Sequence, residues 1–257
     1  MRFCLLVPAA TLFASLAASA QMMPGSESRY YAPLNSAAVS LEYSNSSSHI
    51  VLGDDRQRKF AGLALAYERG IMANHWMAWN YSAEIRPLQV ESDPTLARLR
   101  IVITSEGKTQ VIDGRFLPQL PITNVNDRLY RNQTFSGTLP DGAPATLQIE
   151  NYLGRRWTYA PGVTPVGFSV HLLPEHPIQT FLVSTAGFIV SPRDIPEFQT
   201  SAFNFTFSFG GGVEWFRDRR RSWTVEYRVQ HMSNKKIGTF NPGVDSQFVR
   251  IGYRFAF

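Results

Sequence analysis

Three side chains near the C-terminal end of the sequence have the types and spacing needed for nucleophilic chemistry. His231 and Ser233 lie two residues apart, and Asp245 follows fourteen residues after the histidine. A serine hydroxyl becomes a good nucleophile when a histidine takes its proton, and a carboxylate holds the imidazole in the required tautomer. Asn241 could donate a hydrogen bond to a developing oxyanion. The pattern indicates acyl transfer, although polar residues at a strand end leaving a membrane are the alternative interpretation.

These side chains can meet only if neighbouring β-strands carry them. The apolar residues at 223, 225, 227 and 229 alternate with polar ones, and alternate side chains of a strand point to opposite faces. His231 and Ser233 continue the apolar face, and Asp245 has the parity of Val249 and Ile251 on the next strand. We therefore expect all three to face outward at the rim. A charge facing lipid costs about 2–4 kcal/mol at mid-membrane but only about 0–1 kcal/mol near the interface.

The same two-residue period runs through most of the chain and predicts about eight strands. In the clearest case one face is apolar throughout, with Phe203, Phe205, Phe207, Phe209, Val213 and Trp215. The opposite faces of the strands carry a balanced set of charges: Glu42, Glu84, Glu214, Glu226, Arg86, Arg228, Arg250 and Arg254. Such charges can pair inside a closed eight-stranded barrel.

Strand and loop lengths favour a membrane barrel over a soluble sandwich. Runs of ten to thirteen residues suit a tilted membrane span, whereas strands of soluble proteins usually have about six residues. The connections alternate between long and short, as in barrels with short periplasmic turns and long external loops. We predict an all-β fold, an antiparallel eight-stranded transmembrane β-barrel. A soluble carrier of the lipocalin type, with its apolar face inside, is the alternative.

Residues 88–162 form a predicted long extracellular insertion. Leu99, Ile101 and Ile103 alternate with other residues, so the segment should contain strands of its own. These strands could extend a hairpin above the membrane, which we favour, or add two spanning strands to make ten.

The amino-acid composition excludes several classes of protein. The 257 residues are 44% hydrophobic and 18% charged, which excludes a disordered chain. The formal net charge is +5, but the dense basic run is confined to 217–221, so nucleic acid is not an expected partner. A single cysteine excludes a disulfide scaffold, and we expect neither a metal nor a cofactor.

The first twenty residues resemble an export signal. Arg2 precedes an apolar stretch at 3–18, and Ala18-Ser19-Ala20 has the small residues that signal peptidase cleaves. The stretch is shorter than the ~20 residues of a membrane-spanning helix. We therefore expect a signal peptide at 1–20, and a barrel over 21–257 in the outer membrane.

Residues 203–257 resemble a known family. His231-Met232-Ser233-Asn234, Asn241-Pro242-Gly243 and then Asp245 are similar to the C-terminal signature of the lipid A 3-O-deacylases, the PagL type. The resemblance implies Ser233 as nucleophile, His231 as general base and Asp245 as the orienting acid. It also implies that Asn241, with Gly243 and Asn234, forms the oxyanion and supporting part of the site. The family's reaction is metal-free hydrolysis of the ester-linked acyl chain at position 3 of lipid A. The familiar acid there is glutamate, which is one methylene longer.

The expected partner is lipid A, as lipopolysaccharide in the outer leaflet, together with outer-membrane lipid. Lys235 and Lys236 could contact the lipid A phosphates, or could simply keep their loop soluble. The oligomeric state is not indicated. A non-enzymatic small barrel, acting as an adhesin or a structural protein, is the alternative function.

Overall fold

The structure is a computed structural model that describes residues 29–122, 128–197 and 199–257. The predicted signal peptide lies outside these residues. The described chain consists of strands and one short 3-10 helix at Arg128–Tyr130. The strands are β1 Asn35–Ser44, β2 Lys59–Ala73, β3 Met77–Ser105, β4 Lys108–Pro121, β5 Gln133–Thr138, β6 Pro144–Tyr159, β7 Gly162–Leu172, β8 Ile178–Ile195, β9 Ser201–Asp218, β10 Arg221–Ser233 and β11 Val244–Ala256. Among the described residues, no helix is long and apolar enough to cross a membrane.

Eight of the strands close into a ring. The order around it is β1, β2, β3, β7, β8, β9, β10 and β11, and each neighbouring pair is antiparallel. Closure occurs between β1 and β11, where the register runs from Ser36 opposite Ala256 to Tyr43 opposite Val249. A closed ring leaves no unpaired edge in its wall. The predicted eight-stranded barrel is confirmed.

The two faces of the wall match the predicted alternation. Large apolar side chains are exposed on the outside, among them Leu41, Leu88, Leu182, Trp215, Val225 and Ile251. The inside is filled with paired charges. Arg250 lies 2.6 Å from Glu84, and Arg254 lies 2.8 Å from Glu214. Buried charges need such partners. A lipocalin-type carrier would have the opposite arrangement, so that alternative is wrong.

The barrel interior leaves little free space. A cavity of about 30 Å³ is lined by residues that include Glu84, His171 and Arg250. A volume of this size holds about one water molecule. The packed charges thus fill the lumen.

β3 is longer than predicted and continues out of the ring. Its pairing with β2 ends at Ser92, and beyond this point it pairs with β4 and β6, while β5 pairs with β6. We call this part, residues 93–159, the extension. It adds no strand to the ring, so the ten-stranded alternative is wrong. β3 does not stop near the end of the barrel because Ile101 has Ile112 and Ile149 as neighbours on its two sides.

All of the long connections lie at the end of the barrel that carries the extension. They are the β1–β2 loop (residues 45–58) and the β10–β11 loop (residues 234–243), and the five-residue β8–β9 loop (residues 196–200) lies at the same end. A buried apolar cluster packs beneath them, formed by Phe60, Ala160, Ile189, Ile195, Met232, Val244 and Phe248. This cluster fixes the strand ends on which the candidate site is built.

Candidate active site

The apolar cluster sets the direction of the candidate residues. Met232 and Val244 are 1% and 0% exposed, and they pair across β10 and β11. Because side chains alternate along a strand, their neighbours His231, Ser233 and Asp245 project to the other side of the wall. His231 lies directly opposite Asp245 in the same register. Burial of two apolar residues therefore aligns the polar ones.

His231 and Asp245 form a short hydrogen bond. The distance from His231 Nδ1 to Asp245 Oδ1 is 2.6 Å. Donation from Nδ1–H to the carboxylate leaves Nε2 with a free lone pair, which is the tautomer that a general base needs. The His231 side chain is 19% exposed, whereas that of Asp245 is fully buried. The acid thus has the outward direction that the parity predicts, but it does not lie open at the rim.

The β1–β2 loop covers Asp245 and binds its second oxygen. The backbone N–H groups of four successive residues donate to Oδ2, at 2.9, 2.5, 3.0 and 2.9 Å from Ile50, Val51, Leu52 and Gly53. Backbone amides that converge in this way stabilise a carboxylate. Sequence reasoning missed this contribution, since main-chain amides leave no side-chain pattern.

Among the four residues that donate these amides, Gly53 is the one whose residue type is dictated by the close approach to Asp245. A Cβ added there would lie 2.9 Å from Asp245 Cγ and would also collide with the Asp245 backbone. Only a glycine lets the loop approach the acid so closely.

Ser233 lies at the end of β10, with its side chain partly exposed. Its hydroxyl accepts a long hydrogen bond from the Lys235 N–H, at 3.4 Å. In the described part of the chain, no hydrogen bond joins Ser233 Oγ to His231 Nε2. Such bonds are often long or absent without substrate and tighten in the reacting complex. The structure therefore joins the histidine to the acid and leaves the serine nearby.

The β10–β11 loop is held by two asparagines. Asn234 donates its N–H to Asn241 Oδ1 at 3.0 Å and its side-chain amide to the Phe240 carbonyl at 2.8 Å. Asn234 is 1% exposed, so it supports the loop from inside. The Asn241 side-chain oxygen accepts this hydrogen bond, which fixes the amide group and leaves its NH₂ to donate a hydrogen bond to a substrate.

Gly243 lies against the histidine. Its φ is +67°, and an added Cβ would be 3.1 Å from His231 Cε1. A side chain at this position would therefore be strained and would press on the imidazole.

Lys235 and Lys236 are exposed beside Ser233, and both have left-handed backbone conformations, with φ of +50° and +64°. Neither forms an ion pair within the described residues, so contact with phosphate stays a prediction. Within the same residues, no group of three or more His, Cys, Asp or Glu side chains is arranged to hold a metal ion.

The closed ring, its apolar outer face and its charged interior define a β-barrel of the outer-membrane class. Residues 130–254 match the family model of the lipid A 3-O-deacylases, PagL. The matched segment contains His231, Ser233 and Asp245, and the resemblance seen in the sequence is confirmed. The barrel fold and this family match together locate the protein in the outer membrane.

Two solved structures illustrate the general likeness to small barrels. Neisserial surface protein A is 11% identical, with a TM-score of 0.41 over 88% of this chain and 99% of that chain. The outer membrane enzyme PagL is 12% identical, with a TM-score of 0.45 over 86% of this chain and 99% of that chain. The fold described above rests on this chain's own strand pairing. No curated protein sequence matches the chain.

Proposed function

We propose that the protein hydrolyses the ester-linked acyl chain at position 3 of lipid A, with a triad of Ser233, His231 and Asp245. The observation that carries the proposal is the 2.6 Å hydrogen bond between His231 and Asp245, on the outward side of the wall. These residues lie in the segment that matches the deacylase family. A lumenal site would be blocked by packed charges, whereas an outward one meets lipid directly.

The proposed reaction has two steps. Ser233 Oγ attacks the ester carbonyl carbon while His231 Nε2 takes the hydroxyl proton. The tetrahedral intermediate places its negative oxygen near the NH₂ group of Asn241. It collapses with cleavage of the bond to the sugar oxygen, which leaves with the proton from His231. Water then attacks the acyl-serine with His231 again as base, releasing the fatty acid and restoring Ser233.

The surroundings of the triad suit an acyl chain. Phe205 pairs with Ser233 and Phe207 with His231, and these rings are 43% and 50% exposed on the outer wall. The side chains of Val51 and Leu52 are also exposed, on the loop whose amides bind Asp245. The membrane would hold the acyl chain along these side chains and present its ester at the rim. Positioning of this kind replaces a deep pocket.

The shorter acid is compatible with a working triad. Asp245 reaches His231 at 2.6 Å because the two residues are opposite each other in the β10–β11 register. The loop amides fix its other oxygen, so the carboxylate has a defined orientation. The aspartate therefore meets the geometric requirement without the extra methylene of glutamate.

An assay with lipopolysaccharide tests the proposal. Purified wild type in detergent micelles is expected to release free 3-hydroxy fatty acid, and Ser233→Ala is expected to lose at least about 10³-fold in rate. Ser136→Ala, on exposed β5 of the extension, is the matched control and should keep full activity. Equal release by wild type and Ser233→Ala would remove Ser233 from the mechanism.

One observation favours a non-enzymatic barrel as the second candidate, namely the missing hydrogen bond between Ser233 and His231. This candidate predicts that lipid A from cells is unchanged by folded His231→Ala and Ser233→Ala variants. Mass spectrometry of lipid A from cells with wild type, with each variant and without the protein decides between the two candidates.

A further inference from the structure

Arg58, the last residue of the β1–β2 loop, has a fully buried side chain at the meeting point of three segments. Its guanidinium lies 3.4 Å from Asp55 in the same loop, 3.2 Å from Asp93 in the extension and 3.2 Å from Glu197 in the β8–β9 loop. It also donates to the carbonyl of Ile122, the residue that follows β4 in the extension, at 2.8 Å. Arg58 thus connects the extension to the loop that holds the acid.

The β1–β2 loop is fastened to β11 on one side of the acid-binding amides and to the end of the β10–β11 loop on the other. On one side, Ser48 N–H donates to the Asp245 carbonyl at 3.0 Å. On the other, Asp54 N–H donates to Pro242 and Asp55 N–H to Gly243, at 2.8 and 3.1 Å.

Ser47 links Arg58 to the parts of the β1–β2 loop that lie on either side of residues 50–53. The Ser47 hydroxyl accepts the Arg58 N–H at 2.9 Å and donates to the Asp55 carbonyl at 3.0 Å. Movement of Arg58 would therefore be transmitted to the amides of residues 50–53, which lie between these contacts.

We infer that Arg58 is a positioning residue for Asp245, which it aligns by fixing the β1–β2 loop against the extension. The inference rests on the proposed function in so far as Asp245 serves as the acid of the triad. A guanidinium withdrawn from water is stable only when its partners are all present. Here the partners come from separate segments, so the loop takes its position when the extension and the β8–β9 loop are in place. The extension thereby acquires a role in organising a site that it does not line.

The test compares Arg58→Met and Arg58→Lys with wild type in the full chain. Arg58→Met should lower kcat for acyl release about 10- to 100-fold, the size of effect that a displacement of about 1 Å produces. KM should stay within about twofold, because the buried side chain does not meet the lipid. The kcat of Arg58→Lys should lie between those of wild type and Arg58→Met, since lysine keeps the charge but lacks the planar guanidinium.

A second readout does not depend on activity. Hydrogen exchange of the amides at residues 50–53 should be at least about tenfold faster in Arg58→Met than in wild type, because these amides lose their fixed partner. The matched control is Arg100→Met in the extension, where the side chain pairs with Glu150 at 3.3 Å and not with the loop. Exchange and kcat of the control should equal those of wild type.

The outcomes separate the two proposals. If wild type releases no acyl chain, the proposed function fails, and hydrogen exchange alone decides the role of Arg58. Unchanged exchange at residues 50–53 in folded Arg58→Met overturns the inference, as does an unchanged kcat in an active enzyme. If Arg58→Met does not fold, Glu197→Gln removes a single ion pair outside the barrel wall and is judged by the same two measurements.

Discussion

Asp245 is positioned mainly by main-chain atoms. One oxygen is bound to His231 and the other to four backbone N–H groups of the β1–β2 loop. This arrangement leaves the carboxylate with few degrees of freedom, so its orientation depends on the position of the β1–β2 loop. We therefore expect substitutions at position 245 to be tolerated as poorly as substitutions at positions 231 and 233.

Asp245→Asn is expected to reduce kcat for acyl release by about 10³–10⁴-fold, because an amide neither stabilises the imidazolium nor fixes the tautomer of His231. Asp245→Glu is also expected to be impaired, since the buried space around the acid has no room for another methylene. Release of 3-hydroxy fatty acid measures both. Asp113→Asn in the extension is the control, and full activity of Asp245→Asn would contradict an acid role.

Gly53→Ala is expected to displace the loop from the acid, since the new Cβ would fall within 2.9 Å of Asp245 Cγ. Activity should drop by at least about tenfold as the amides move away. Gly114→Ala provides the comparison, because open space surrounds that glycine. Both variants are measured by acyl release and by heat-modifiable migration of the folded barrel in gels. Retained activity in Gly53→Ala would show that the close approach is dispensable.

At the scale of elements, the β1–β2 loop carries an unusual acid of its own. Burial raises the pKa of the Asp55 carboxyl to about 9; Arg58 opposes this effect, and Glu197 and Asp93 add to it. An unfolded aspartate has a pKa of about 3.9. The folded protein therefore keeps a proton that the unfolded chain releases. The contribution of Asp55 to stability is complete below about pH 4 and declines as the pH rises towards 9.

Asp55→Asn removes this dependence. Its thermal unfolding midpoint in detergent should lie above that of wild type at pH 8, while the two should be similar at pH 4. The reason is that wild type loses up to about 1.4 kcal/mol for each pH unit over this interval, whereas the neutral amide loses nothing. The same difference between variant and wild type at both pH values would show that Asp55 is ionised in the folded protein.

The elements also show what the sequence can and cannot predict. Two-residue periodicity predicts the strands and the direction of His231, because alternation follows from strand geometry alone. It does not predict that β3 continues past the ring, since that depends on partners more than forty residues away, such as Ile149. Nor does it predict the burial of Asp245, because the covering groups are backbone amides.

At the scale of the whole molecule, the barrel depends on charges that meet across its interior. Arg250 on β11 lies 2.6, 3.4 and 3.7 Å from Glu84, Glu42 and Glu226, which come from three other strands. Each of these carboxylates would lose a partner without the arginine. A charge left unpaired in a buried site is far costlier than a broken surface pair.

Arg250→Met is expected to destabilise the barrel by about 3–5 kcal/mol. Urea unfolding in lipid vesicles measures the loss. Arg98→Met, which breaks an exposed pair with Asp113 in the extension, should leave the unfolding midpoint unchanged. Comparable midpoints for the two variants would contradict a stabilising role of the interior charges.

The filled interior has one consequence for the cell. Within the described residues, ion pairs occupy the lumen, and the cavity of about 30 Å³ between them is too small for solutes larger than water. A cell can therefore hold many copies of this barrel without making its envelope leakier to antibiotics or nutrients.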